Sequence, residues 1–100
     1  MESKELLTEL GDFFKIFADP TRIRILELLA ETDKCVSEIS EILDVSQSAV
    51  SHQLKILRLH NVVSTEKNGQ MVTYRLADDH IRIIIKYGLE HIKEEKNEKA

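Results

Sequence analysis

The stretch SEISEILDVSQSAVSHQLKILRLH, residues 37–60, decides how the chain is read. Ser37 can cap a short helix over Glu38 to Leu43, with Ile39 and Ile42 turned inward. Asp44-Val45-Ser46 makes a brief turn, and Ser46 caps a longer helix from Gln47 to about His60. On that helix Val50, Leu54 and Leu57 recur at helical spacing and form a buried stripe, flanked by Ala49 and Ile56. Gln47, Ser48, Ser51, His52, Lys55 and Arg58 occupy the opposite face.

Downstream the period changes. Val62 to Glu66 and Met71 to Leu76 are β-branched or aromatic runs with Lys67-Asn68-Gly69-Gln70 between them. Asn-Gly between two such runs signals a β-hairpin, because both residues tolerate positive φ in the turn. Asp78 then caps a last helix over Asp79 to Lys93, rich in isoleucine, and the charged tail from Glu94 to Ala100 is expected to fray. Upstream, Leu6, Leu7, Leu10, Phe13, Phe14 and Phe17 mark an amphipathic helix over residues 4–18. Asp19-Pro20 ends it and opens a second helix reaching Glu31, with Asp19 as N-cap and Ile23, Leu26 and Leu29 inward. Thr32-Asp33-Lys34 reads as a polar loop. Short helix, turn, longer helix and hairpin in that order make a winged helix-turn-helix. The expected fold is mainly α with a β-hairpin wing, one domain over residues 1–100, the helix-turn-helix at 38–60 and the wing at 62–76.

With 100 residues the chain buries a modest share of its surface, so pairing with a second copy is a source of stability. Apolar residues at 42% and charged residues at 32% are normal for a globular domain. No apolar run approaches 18 residues and no basic-then-apolar leader opens the chain, so neither a membrane span nor a secretion signal is expected. The single cysteine, Cys35, cannot form an internal disulfide, which fits a reducing cytoplasm. There is no Gly-rich phosphate loop, nucleophile motif or catalytic carboxylate pair, which argues against an enzyme.

The net charge of −4 at first opposes nucleic acid, but its distribution reverses that reading. No acid stands between Asp44 and Glu66, a window that carries His52, Lys55, Arg58 and His60. A cationic helix face of this kind suits a major groove of double-stranded DNA. Gln47, Ser48, Ser51 and His52 are short enough to reach base edges, and Lys55 and Arg58 suit phosphates. Lys67, Asn68 and Gln70 at the hairpin tip would lie over the backbone or the adjacent minor groove. The plain alternative is a solvated helix pair with a polar outer face.

Three blocks, Asp19-Pro20-Thr21-Arg22-Ile23-Arg24-Ile25-Leu26, Cys35-Val36-Ser37-Glu38-Ile39 and Ser46-Gln47-Ser48-Ala49-Val50-Ser51-His52-Gln53-Leu54-Lys55, resemble the signature of the ArsR/SmtB winged-helix repressors. The resemblance runs from about Leu6 to Glu94. It implies a homodimer, joined through the first and last helices, that blocks an operator and leaves it when an inducer binds.

The last helix suggests the inducer. His80 and His91 share a helical face, since eleven residues at 100° return to within about 20° of the start. They stand roughly 16 Å apart along the axis, too far for one ion with bonds near 2 Å. An antiparallel partner helix would bring His91 and Glu94 of one chain beside Asp78 and His80 of the other, giving two equivalent sites. His80, Ile84, Tyr87, His91 and Glu94 follow the 4-3-4-3 spacing of a helix-pair seam. Two imidazoles and two carboxylates suit Zn(II), with Co(II) fitting similar geometry. The Asp-x-His…His-x-x-Glu pattern also resembles the last-helix site of the zinc-sensing members; Asp79 is an alternative first ligand, but Asp78 has the matching offset. In those members a bond runs from the metal-bound histidine to the end of the recognition helix, which implies a link here from His91 to the region of Asn61.

The bland readings are Asp78 as cap alone, the histidines as interface residues and Glu94 as a solvated charge. Members that sense soft ions resemble Cys-x-Cys where this chain has Cys35 and Ser37, so Cys35 reads as a small buried residue rather than a ligand. His60 has no chelating partner at sequence spacing and is left unassigned. Rival readings are a non-metal inducer, redox through Cys35 or a small molecule, and a protein-docking module that uses the acidic first helices.

Overall fold

In the computed structural model, which describes residues 1–99, the elements run α1 (Lys4–Ile16), α2 (Pro20–Glu31), α3 (Val36–Leu43), α4 (Gln47–Leu59), β1 (Val63–Asn68), β2 (Met71–Leu76) and α5 (Asp79–Lys99). Local chemistry sets most of the boundaries. The Asp19 carboxylate accepts from the Arg22 N–H at 2.9 Å and Pro20 occupies the first turn of α2, where its missing N–H costs nothing. Ser46 Oγ accepts from the Ala49 N–H at 3.1 Å to start α4. Asp44 ends α3 with φ 54°, and the Val45 N–H returns to the Ser40 carbonyl. Asn61 ends α4 in the same way, with φ 60°, the Asn61 N–H on Arg58 O and the Val62 N–H on Leu57 O. Both are Schellman-type stops that satisfy orphan carbonyls through a left-handed residue.

The core gathers around α2. Ile25, Leu26 and Leu29 are fully or almost fully buried, together with Ile39 of α3, Val50, Leu54 and Leu57 of α4, and Val62 beyond it. Ile81 and Ile85 bring α5 against this centre, and Leu76 brings the wing. The inner face of α2 therefore differs from the sequence reading: Ile25 is buried and Ile23 is 41% exposed. The reason is angular, since Ile23 lies about 120° round the helix from Leu29. On α3 the inward pair is Ile39 and Leu43, one i,i+4 step, and Ile42 faces out.

Four further expectations are corrected. Helix α3 starts at Val36 with Cys35 as its N-cap residue, not with Ser37, because the Glu38 carboxylate reaches back to the Cys35 N–H at 3.0 Å. Strand β1 extends to Asn68, which pairs with Met71, so the two-residue turn is Gly69-Gln70. Gly69 alone in that turn has positive φ, 62°, the arrangement in which glycine comes first. The tail expected to fray continues α5 as helix to Lys99, in keeping with the helix preference of its Glu and Lys residues; Ala100 lies outside the described residues. Lys34 is more than a loop residue: its backbone exchanges hydrogen bonds of 3.1 and 2.8 Å with Tyr74, an isolated antiparallel bridge beside β2. Its buried ammonium donates to the Leu28 and Thr32 carbonyls at the end of α2, at 3.2 and 3.4 Å.

Because Leu54 is wholly enclosed, Leu54→Ala should lower unfolding free energy by about 2–5 kcal/mol in urea denaturation. A loss under about 1 kcal/mol would mean that α4 is not anchored as described.

Candidate nucleic-acid interface and metal centre

Burial of one stripe of α4 dictates what the other side offers. With Val50, Leu54 and Leu57 sealed inside, Gln47, Ser48, Ser51, His52, Lys55 and Arg58 are all exposed on the outer surface. Ser48 Oγ lies 3.3 Å from Ser46 Oγ, so it is coupled to the cap that opens the helix.

The hairpin holds Lys67 and Gln70 exposed at the far end of the antiparallel pair, beside Asn68. Its base is fixed by Val63 and Leu76 in the core, by the Ala77 N–H on Val62 O at 2.9 Å, and by the Lys34 bridge. Arg75 on β2 pairs with Glu66 and lies 3.1 Å from Asp33. Neither Lys34 nor Arg75 was singled out from the sequence. An alternation pattern shows which strand residues face outward, but not which distant segment they meet.

The four candidate donors expected on the last helix divide into two stations. Asp78 Oδ1 accepts from the Ile81 N–H at 3.3 Å and lies 3.5 Å from His80 Nδ1, so the cap and the imidazole sit together at the start of α5. The His80 side chain is 87% exposed. His91 and Glu94 are exposed further along the same unbroken helix. Among the described residues of one chain, no three His, Cys, Asp or Glu side chains gather closely enough to hold a metal ion. The fold thus presents the two stations without joining them.

Between α1, α2 and α5 runs an apolar groove of about 290 Å³, bordered by Phe14, Phe17, Ile23, Ile84, Leu89 and Ile92. Ile23, misplaced by the sequence reading, belongs to this groove. His60 also gains surroundings invisible in the sequence: it shares a cleft with Glu9 and Asp12 of α1. Cys35 is half-buried rather than buried, with Sγ 3.2 Å from Ser37 Oγ. Hydrogen bonds from the Cys35 backbone N–H, and secondarily from its side chain, hold the Glu38 carboxyl below the usual carboxylate range.

A helix pair whose second, capped member presents a polar, acid-free face, followed by a pinned hairpin, defines the winged helix-turn-helix class. Comparison with known proteins gives the family. The bacterial regulatory protein, arsR family, profile matches residues 19–65. The chain is 38% identical over 86 residues to the transcriptional repressor SmtB homolog of Synechocystis sp., a span covering 86% of this chain and 65% of that protein. It therefore spans slightly under two thirds of that relative's length. The crystal structure of Rv0081 from M. tuberculosis superposes with a TM-score of 0.87 at 32% identity, covering 97% of this chain and 98% of that one. A homodimeric winged helix-turn-helix DNA-binding domain from Mycobacterium bovis shares the fold with a TM-score of 0.83 at 22% identity, over 99% of this chain and 94% of that one. The chain belongs to the ArsR/SmtB family of winged-helix transcriptional repressors, a family of regulators rather than enzymes. No described helix is long and apolar enough to cross a membrane.

The α4 geometry predicts two kinds of loss. Lys55→Ala should weaken binding to duplexes of any sequence and reduce the slope of log affinity against log salt by about 1 per lost phosphate contact. His52→Ala or Gln47→Ala should instead relax preference among sequences, read by competition between duplexes. Unchanged affinity and selectivity in all three would leave this face merely solvated.

Proposed function

We propose that this chain is a metal-responsive transcriptional repressor that binds double-stranded operator DNA as a homodimer and releases it on binding Zn(II), or Co(II), between its last helices. The observation that carries the reading is the arrangement of α5: Asp78 with His80 at one station, His91 with Glu94 at another, and an uncovered apolar groove alongside.

Several features support a second copy on that side. Leu6, Leu7, Leu10 and Phe14 of α1 and Tyr87, Leu89 and Ile92 of α5 are exposed, far more apolar surface than scattered single residues would give. The Cα radius of gyration is 15.1 Å, against about 13 Å for a 100-residue chain folded on itself. The fold neighbour from M. bovis is a homodimer. Ile81 and Ile85 fasten one face of α5 to its own chain, which leaves Ile84 and Tyr87 on a seam for the other.

The donor set fits a borderline ion. Asp78 and His80 of one copy with His91 and Glu94 of the other would supply two nitrogens and two oxygens, a set suited to zinc and ill suited to soft ions, which prefer thiolates. Bound there, the ion would cross-link the two α5 helices and favour one arrangement of the dimer. Within the chain itself, Asn61 supplies the left-handed stop of α4, at the end of the helix that would enter the groove. That stop is the region toward which a second N–H of His91 would signal. The spacing of the two α4 helices then decides DNA affinity, and by reciprocity DNA must weaken metal binding by the same factor.

A shared site is tested by complementation. Purified mixed dimers of His80→Ala with His91→Ala subunits should bind about one zinc per dimer, and each mutant homodimer close to none. No zinc in the mixed dimer would contradict a site built from both chains.

A further inference from the structure

The ion pairs at the base of the wing carry an inference about how the wing meets DNA. Arg75 pairs across the hairpin with Ser64, and Glu66, two residues nearer the tip, shares that face. Arg75 Nη2 donates to the Glu66 carboxylate and lies 3.1 Å from Asp33 Oδ2, so one guanidinium serves carboxylates from two different segments. All three side chains are close to half exposed, a setting in which such pairs add little to stability.

Their charge matters more than their cohesion. Glu66 is the first acid after the acid-free window that begins past Asp44, and it directly precedes Lys67. Two residue steps along the strand separate it from Asn68 at the tip, about 7 Å, which is inside the roughly 10 Å reach of a charge in 0.1 M salt. A bare carboxylate there would repel the phosphates that Lys67 attracts. We propose that Arg75 is a charge-masking residue, offsetting Glu66 and Asp33 so that the wing can approach the DNA backbone.

This rests on the DNA-binding reading above, and it makes a signed prediction. Counting Arg75 as +1 and Asp33 and Glu66 as −1 each, the triad carries −1. Arg75→Gln takes it to −2, Glu66→Gln to zero, and the double variant Glu66→Gln/Arg75→Gln returns it to −1. One charge about 10 Å from a phosphate changes affinity by about twofold in unscreened water, so the two wings of a dimer give roughly fourfold.

The experiment is titration of a mixed-sequence 30-base-pair duplex, about three helical turns, with each protein at low and high salt. Expected are Glu66→Gln tighter than wild type by up to about fourfold, Arg75→Gln weaker by a similar factor, and the double variant close to wild type. The differences should shrink as salt rises. A triad that acted by holding the wing in shape would make Glu66→Gln and the double variant weaker, and that result overturns the proposal. Equal affinity in all four proteins overturns it too, with the repressor reading intact. Folded wild type that binds no duplex at low salt overturns both. Glu66 is an exposed position, so Glu66→Gln keeps the test open if Arg75→Gln should fail to fold.

Discussion

The enclosed stripe Val50, Leu54 and Leu57 is the constraint on which the rest depends. Pressed against Ile25, Leu26, Leu29 and Ile39, it fixes the rotation of α4 about its own axis. A helix has one orientation that buries such a stripe, so the identity of the outward residues follows without further choice. The stops at Asp44 and Asn61 then fix where α4 begins and ends relative to that core. Burial of Val62 and Val63 carries the constraint directly into the wing, which cannot swing freely while its first strand is rooted in the same apolar centre.

The other side of the molecule is governed by what is left unburied. Helix α1 contributes only Ile16 as a buried residue, although Phe13 and Phe17 pack against the core and against one another edge to face. Helix α5 is fastened by Ile81 and Ile85 near its start, and Arg82 adds a hydrogen bond to the Ala30 carbonyl at 3.1 Å. Beyond that point its apolar residues look outward. The same long helix carries both proposed donor stations, so in that reading a rearrangement of α5 pairs and a change in ligand binding would be one event.

Much of this was legible in the sequence because it rested on periodicity and short-range chemistry. The Asp19 and Ser46 caps, the stripe on α4 and the β-hairpin are all decided by residues within a few positions of one another. What escaped depended on distant partners or on small angular differences. Ile23 and Ile25 are equally apolar, and only the packing of α2 on its neighbours selects one for the core. Lys34 looks like a loop cation until Tyr74 arrives to pair with its backbone. The turn shifted by one residue because Gly69 takes the positive φ at the first turn position, and Asn68 stays in the strand paired with Met71. His60 gained acidic neighbours that lie some fifty positions away in the chain, on α1. The proposed donors were read by type and spacing alone, and the proposed site would close only against a second copy, which one chain's pattern cannot express.

The most direct test of the account is the affinity of the wild-type protein for a duplex selected by its own binding, measured with and without saturating Zn(II) at fixed salt. Allosteric couplings of about 1–3 kcal/mol correspond to roughly 5- to 150-fold changes, and the account predicts weaker DNA binding by a factor in that range when zinc is bound. Equal affinity in the two states, with zinc shown to be on the protein, would contradict it.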